Sequence, residues 1–294
     1  MKLGIIGLGL IGGSIALDLK RSGFALEVFG FDSQKDHIND ALRLGLIDEA
    51  LSLRSICQRV DLLVLAVPVD VIVKLLPQVM TDIEENCTVT DVGSTKFKII
   101  DCIKDHKNRK NYVAAHPMAG TEFSGPTAAH RGLFYSKALV ICNEEDSGKV
   151  HLEKVQNMFT HLGMRILKMD AKDHDLHAAY VSHLSHISSF ILANTVLDKE
   201  KDHNTIFNLA SAGFESTVRL AKSSPEMWNP IFEQNQKFIL QALAAYIDHL
   251  NQFYEHLKNS NTIETKNIMK KSNEIKRVLV QLQTNSLGMN SNAK

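Results

Sequence analysis

Leu3-Gly4-Ile5-Ile6-Gly7-Leu8-Gly9-Leu10-Ile11-Gly12-Gly13-Ser14 stands near the start of the chain and decides its fold. Leu3–Ile6 is a short branched apolar run, as a buried strand requires. Ile11–Ser22 follows with helical spacing. Gly7, Gly9 and Gly12 between them match G-x-G-x-x-G. In that setting the first glycine permits a tight turn and the second lets a pyrophosphate approach the backbone. The third lets helix and strand pack closely, and the helix start faces the phosphates. Leu8, Leu10 and Ile11 complete the expected cradle. Asp32 ends the next strand candidate, 20 residues past Gly12. A carboxylate there can accept both ribose hydroxyls of NAD and repel a 2′-phosphate. Ser33-Gln34 follow, and Lys35 is the nearest cation, so NAD is expected over NADP. A plain glycine turn with Asp32 as a helix cap is the competing interpretation.

The pattern continues outward from that loop. Leu26–Phe31, Leu62–Val67, Thr88–Val92 and Tyr112–Ala115 are short apolar runs bounded by Gly, Pro or Asp. Amphipathic stretches such as Asp36–Leu44 and Val69–Asp82 separate them. This alternation predicts an α/β domain, a Rossmann-type doubly wound sheet, over residues 1–169. Leu139–Cys142 and Met164–Lys168 are late strands flanking a helix at His151–Gly163. Beyond residue 170 strand signals stop. Helical stretches at 171–198, 203–222, 226–258 and 261–284 predict an all-α second domain over 170–284. Residues 285–294 are small and polar, as a disordered tail would be.

The balance of 33 basic and 33 acidic residues removes the case for a nucleic-acid binder. Four scattered cysteines form no Cys-x-x-Cys pair and indicate reduced thiols. No apolar run approaches a membrane span and no leader pattern opens the chain, so a soluble cytoplasmic protein is expected.

Three stretches carry chemistry. Ala66-Val67-Pro68 ends one strand, and by spacing serves equally as a loop over a cofactor ribose or as a plain strand-to-helix turn. Asp91-Val92-Gly93-Ser94-Thr95-Lys96 lies at the carboxyl end of the next, where open α/β sheets bind ligands. Ser94 could orient a substrate or an imidazole, or cap a helix. Lys96 could hold a carboxylate, or be solvated. His116-Pro117-Met118-Ala119-Gly120-Thr121-Glu122 begins a loop after the following strand, and a surface-loop histidine there suits general-base work. The helical half offers His183 and His186 on one helix face, then Arg219, able to grip a carboxylate with two hydrogen bonds, and Trp228. Asp173-His174-Asp175-Leu176-His177 concentrates ligand types, yet no H-E-x-x-H or cysteine supports a metal. It is best explained as solvated helix surface, and no metal is expected.

Taken together these motifs resemble the prephenate/arogenate dehydrogenase family of tyrosine biosynthesis. The resemblance runs from Met1 to about residue 260 and rests on Gly7–Ser14, Asp32, Leu65–Val69, Asp91–Lys96, His116–Glu122, Ser182–His186 and Ala212 through Arg219 to Trp228. It implies oxidative decarboxylation of prephenate to 4-hydroxyphenylpyruvate with NAD. By resemblance His116 accepts the proton and Ser94 contacts both that histidine and the substrate hydroxyl. His186 and Arg219 bind substrate, Glu122 gates the site, and Lys96 and His183 are further substrate contacts. It also implies a homodimer through the helical domain. One departure is Ser185, where many members carry proline, so a straighter helix is expected here. The length leaves no room for a chorismate mutase or a folded regulatory domain, so inhibition by tyrosine would act at the active site. Arogenate dehydrogenase is the near alternative. A β-hydroxyacid dehydrogenase would rely on a lysine in the helical domain, and a non-catalytic NAD sensor would not need Ser94, His116 and Arg219 together.

Overall fold

The computed structural model describes residues 1–203 and 205–280. The tail expected over 285–294, and the end of the helix expected over 261–284, lie outside the described residues. The first part alternates β1 (Lys2–Ile6), α1 (Leu10–Arg21), β2 (Glu27–Phe31), α2 (Lys35–Arg43), β3 (Glu49–Ala50), α3 (Leu53–Arg59), β4 (Leu62–Leu65), α4 (Val69–Asp82), β5 (Thr88–Asp91), α5 (Phe97–Asp101) and β6 (Tyr112–Pro117). Then come β7 (Ala138–Cys142), α6 (Lys149–His161) and β8 (Arg165–Met169). The eight strands form one sheet in the order β3-β2-β1-β4-β5-β6-β7-β8. All neighbours are parallel except β6 and β7. The strand order reverses between β1 and β4, and such a switch point opens a crevice outside the strand carboxyl ends.

Side-chain alternation splits the core into two layers. Leu3, Ile5, Leu62, Val64, Val113 and Ala115 join the layer under α1 and α6. Ile6, Leu63, Leu65, Tyr112 and Ala114 join the other, with Ala171, Trp228 and Ile231. Both faces of the central strands are therefore covered, and this explains their unbroken apolar runs. Position 116 shares the parity of Tyr112 and Ala114, which directs His116 toward the layer that holds Trp228.

Helices follow Met169: α7 (Ala171–Ala178), a π-helical turn at Ala179–His183, α8 (Leu184–His203), α9 (Ala212–Val218), α10 (Pro225–Gln234), α11 (Gln236–Lys258) and α12 (Thr262–Ser272). The sequence missed the short β3 and α3. It also drew the helices too long. The stretch 203–222 contains two 3-10 turns, Ile206–Leu209 and Arg219–Lys222, around α9. The stretch 226–258 breaks at Asn235, a buried residue whose amide is committed elsewhere. Ser185 lies in the first turn of α8, directly after the π turn. The chain forms two compact units, Met1–Phe238 and Ile239–Lys294. Among the described residues no helix is long and apolar enough to cross a membrane.

Candidate active site

Gly7 adopts φ +96°, open to glycine, and a Cβ there would lie 2.4 Å from the Ala66 carbonyl oxygen. A Cβ on Gly12 would lie 2.0 Å from the Gly7 carbonyl oxygen. A Cβ on Gly9 would meet nothing within 4 Å, leaving open space at the start of α1. No side chain caps that helix start. Asp32 is held beside the loop: Leu8 N donates to Oδ2 at 2.9 Å and Gln34 N to Oδ1 at 2.9 Å. These residues fit a dinucleotide, with backbone N–H groups for the phosphates and a fixed carboxylate for the ribose. The nearest titratable neighbour of Asp32 is His37, whose Nδ1 lies 3.3 Å from Oδ2. Lys35, expected there from sequence, is exposed at the start of α2. Val67 flanks Gly7, and Pro68 occupies the N-cap position of α4.

The loop after β5 departs from expectation. Lys96 is neither solvated nor free to grip a ligand. It is completely buried, its ammonium pairs with Asp91 and it donates to the Ala115 carbonyl at 2.9 Å. The Tyr112 hydroxyl donates to the other Asp91 oxygen at 2.5 Å, and burial first, then Asp91, raises the Tyr112 pKa well above 10. Lys96 is thus a brace between β5 and the strand carrying His116, because a buried ammonium needs a counter-charge and acceptors. Nor does Ser94 cap α5. Lys96 holds the N-cap position, and the capping carboxylate comes from Asp175, which accepts Lys96 N at 2.8 Å and Phe97 N at 3.0 Å. Ser94 is partly exposed and has no hydrogen-bond partner among the described residues.

His116 is not on a surface loop. It belongs to β6 and is 9% exposed. Its Nδ1 lies 2.8 Å from His174 Nε2, and His174 Nδ1 lies 2.8 Å from Asp175 Oδ1. Burial lowers the His116 pKa well below 6.5, with His174, Lys96 and His183 adding to the shift. The 173–177 cluster is therefore divided: Asp173 and His177 are exposed as expected, but His174 and Asp175 are both buried. Asn235 Nδ2 donates to the Asp175 carbonyl at 2.7 Å and lies 3.1 Å from His183 Nδ1. His183 is fully buried, and burial lowers its pKa to about 4. Accepting on Nδ1, its neutral ring carries its proton on Nε2. That donor and Trp228 Nε1 are buried without partners among the described residues. Buried donors are rarely left unpaired, so both suit a ligand with acceptor oxygens.

His186 stacks on Trp228 with ring centroids 3.5 Å apart, and its Nδ1 meets the Ser182 carbonyl at 3.0 Å. Arg219 is half exposed and donates to Glu122 Oε2 at 3.1 Å. The backbone N–H of Glu122 and then Arg219 lower that carboxyl's pKa. The structure brings together His116, Lys96 and His183 through the network around Asp175. His186 joins them through Trp228, and Arg219 is tied to Glu122.

Comparison with known proteins decides what this arrangement belongs to. The model described as "Prephenate dehydrogenase, nucleotide-binding domain" matches residues 15–168, and "Prephenate dehydrogenase, dimerization domain" matches residues 170–271. The chain belongs to the prephenate dehydrogenase family. A prephenate dehydrogenase of Lactococcus lactis is 32% identical over 254 residues, 85% of this chain and 70% of the relative. The crystal structure of prephenate dehydrogenase from A. aeolicus, in complex with hydroxyphenyl propionate and NAD+, has TM-score 0.84 at 29% identity and covers 95% of this chain and 98% of that one. Synechocystis arogenate dehydrogenase has TM-score 0.76 at 29% identity and covers 95% and 100%. As a member of the prephenate dehydrogenase family the chain is an oxidoreductase, and the sensor alternative falls away.

Three site residues escaped the sequence: His174, Asp175 and Asn235. A signal existed for two of them. The buried positions of α7 are Ala171, His174, Asp175 and Ala178. That spacing of three, four and seven marks one inward helix face. Polar residues on such a face point to a buried network. Asn235 left no comparable trace.

Proposed function

We propose that the chain is an NAD-linked prephenate dehydrogenase in which His116 accepts the substrate hydroxyl proton. The observation that carries this reading is a buried, neutral histidine on the strand beside the Ser94 loop, at the carboxyl side of the sheet. Bound NAD would supply the hydride acceptor for the ring carbinol carbon, and the ring carboxylate would leave as CO2. The chain's own residues do the rest. Gly7, Gly9 and Gly12 admit the phosphates, Asp32 holds the ribose, and Ser94 orients the reacting hydroxyl. His183 and Trp228 offer donors to the substrate, and Arg219 takes a carboxylate. In this division residues 1–169 serve the cofactor and residues from 170 serve the substrate and pairing. The A. aeolicus relative, crystallised with an aromatic acid and NAD+, supports it.

Arogenate is the second reading, because an arogenate dehydrogenase resembles the chain at the same identity. Steady-state assays of prephenate and arogenate, each with NAD and NADP and with or without tyrosine, test the proposal. Prephenate with NAD should give the highest kcat/KM, and a higher value for arogenate would reverse the assignment. Tyrosine, if it inhibits, should compete with substrate. We further propose a homodimer. The face of α11 that shows Leu240, Ile247, Leu250, Tyr254 and Leu257 to solvent has the seven- and three-residue spacing of a helix seam. A monomer in sedimentation equilibrium at micromolar concentration would contradict this.

Two substitutions test individual roles. Arg219→Ala should raise KM for prephenate about 10- to 100-fold, since hydrogen bonds between charged groups contribute roughly 1.5–3 kcal/mol. An unchanged KM would mean that Arg219 serves only Glu122. Asp32→Ser should weaken NAD binding and relax rejection of NADP, measured as the ratio of the two dissociation constants by fluorescence titration. The same ratio in both proteins would remove Asp32 from cofactor choice.

A further inference from the structure

We propose that His174 and Asp175 complete a proton relay with His116, carrying the positive charge of the abstracted proton one imidazole deeper. The inference rests on His116 as the proton acceptor.

Hydrogen-bond direction fixes where each proton sits. The Asp175 carboxylate only accepts, and it takes Lys96 N, Phe97 N and His174 Nδ1. His174 therefore carries its proton on Nδ1 and presents a lone pair at Nε2. His116 Nδ1 faces that lone pair at 2.8 Å, so it must be the protonated nitrogen of His116. His116 Nε2 is left bare, with no partner among the described residues, and ready to accept. Asp175 thus chooses the tautomer of His116 through an intervening ring, although the two residues make no contact.

The same chain can move charge. The substrate O–H bond breaks and a bond forms from its hydrogen to His116 Nε2. The Nδ1–H bond of His116 breaks and a bond forms from that hydrogen to His174 Nε2. His116 ends neutral, and His174 ends as imidazolium with its Nδ1–H on Asp175. No electrons are transferred within the relay. A cation on His116 is disfavoured by burial, by the Lys96 ammonium and by the nearby His183 ring. On His174 it lies against a carboxylate 2.8 Å away. When product leaves, the reverse shift returns the proton to solvent through Nε2 of His116. His174 and Asp175 are positioning residues by this account, since neither touches substrate.

The test is His174→Gln, made in the wild type and in a His116→Asn background. Glutamine can still accept the Nδ1–H of His116 but cannot become a cation. The expected loss is about 100-fold in kcat, at the low end of what proton-transfer groups contribute, with KM within about twofold. In the His116→Asn background the second change should cost nothing more, because residues acting as one unit are not additive. Wild-type kcat in His174→Gln, or a full additional loss on top of His116→Asn, would overturn the relay and leave a purely structural contact. High activity of His116→Asn itself would instead remove the base, a distinguishable failure. If His174→Gln does not fold, the imidazole nitrogen-15 spectrum of the unaltered enzyme decides the matter. It should show His116 protonated on Nδ1, and an Nε2–H tautomer would overturn the relay.

Discussion

His116→Asn should lower kcat by about 100- to 10,000-fold, the range for removal of a general base, with KM for prephenate little changed. Asparagine places an amide nitrogen where His116 has Nδ1, so the hydrogen bond to His174 Nε2 can persist and β6 need not shift. What disappears is the basic Nε2. The pH dependence should change with it. The His116 pKa is lowered by burial, with His174, Lys96 and His183 contributing. A lowered pKa means that the neutral, competent form persists below pH 6.5. In the unaltered enzyme kcat/KM should therefore be flat through neutral pH and fall only in acid, as His116 takes up a proton. In the variant that acid limb should vanish. Stopped-flow or steady-state absorbance of the reduced cofactor measures both effects. A variant that keeps most of its turnover would end the role proposed for His116.

The cofactor half of the site was legible because its signals are local. Gly7, Gly9, Gly12 and Asp32 lie on one strand–turn–helix–strand segment, and a tight turn near a strand end leaves a fixed spacing. Ser94 and His116 could be placed near the crevice because both follow apolar runs. What sequence could not supply was depth. A lysine after Gly93-Ser94-Thr95 reads as solvated, and only the pairing of β5 with β6 brings Asp91 and the Ala115 carbonyl around it. His116 was expected on a loop because Pro117 follows it, yet β6 runs on to Pro117 and pairs with β7. His174 and Asp175 looked like surface because acidic and histidine residues are usually exposed. Their partners are 58 and 79 residues away, at His116 and Lys96.

Lys96→Met should produce the largest loss of stability. The substitution removes the counter-charge of Asp91, itself fully buried, and leaves the Ala115 carbonyl without its ammonium donor. Breaking a buried pair on one side costs about 3–5 kcal/mol, because the remaining charge stays in a poorly polarisable interior. The Tyr112 hydroxyl and Gly93 N still reach Asp91, which bounds the loss. The Asp175 cap is untouched, since it uses the backbone of Lys96. Denaturant unfolding at fixed protein concentration measures the change. Asp91→Asn combined with Lys96→Met should recover part of it, because the amide removes the orphaned charge and can still accept from Gly93 N. A double variant less stable than Lys96→Met alone would show that the charge of Asp91 has another partner.

The π turn at Ala179–His183 has a consequence for rotational phase. At 3.6 residues per turn each α-helical residue advances about 100°. His174 and His183 are nine residues apart and would then stand about 180° apart, on opposite sides of one rod. A π turn absorbs an extra residue, and the effective separation falls to about 80°. Both imidazoles can then share a side, as their common link through Asp175 and Asn235 requires. The segment behaves as a vernier, letting two helical stretches of different phase present their polar residues to one point. An added residue, more than a changed one, is therefore what this stretch cannot absorb. Inserting a single residue between Ala179 and Ser182 would return the separation to about 180° and turn one histidine away, although no side chain of the site had been altered, whereas deleting one would leave an ordinary helix with the two histidines still about 80° apart.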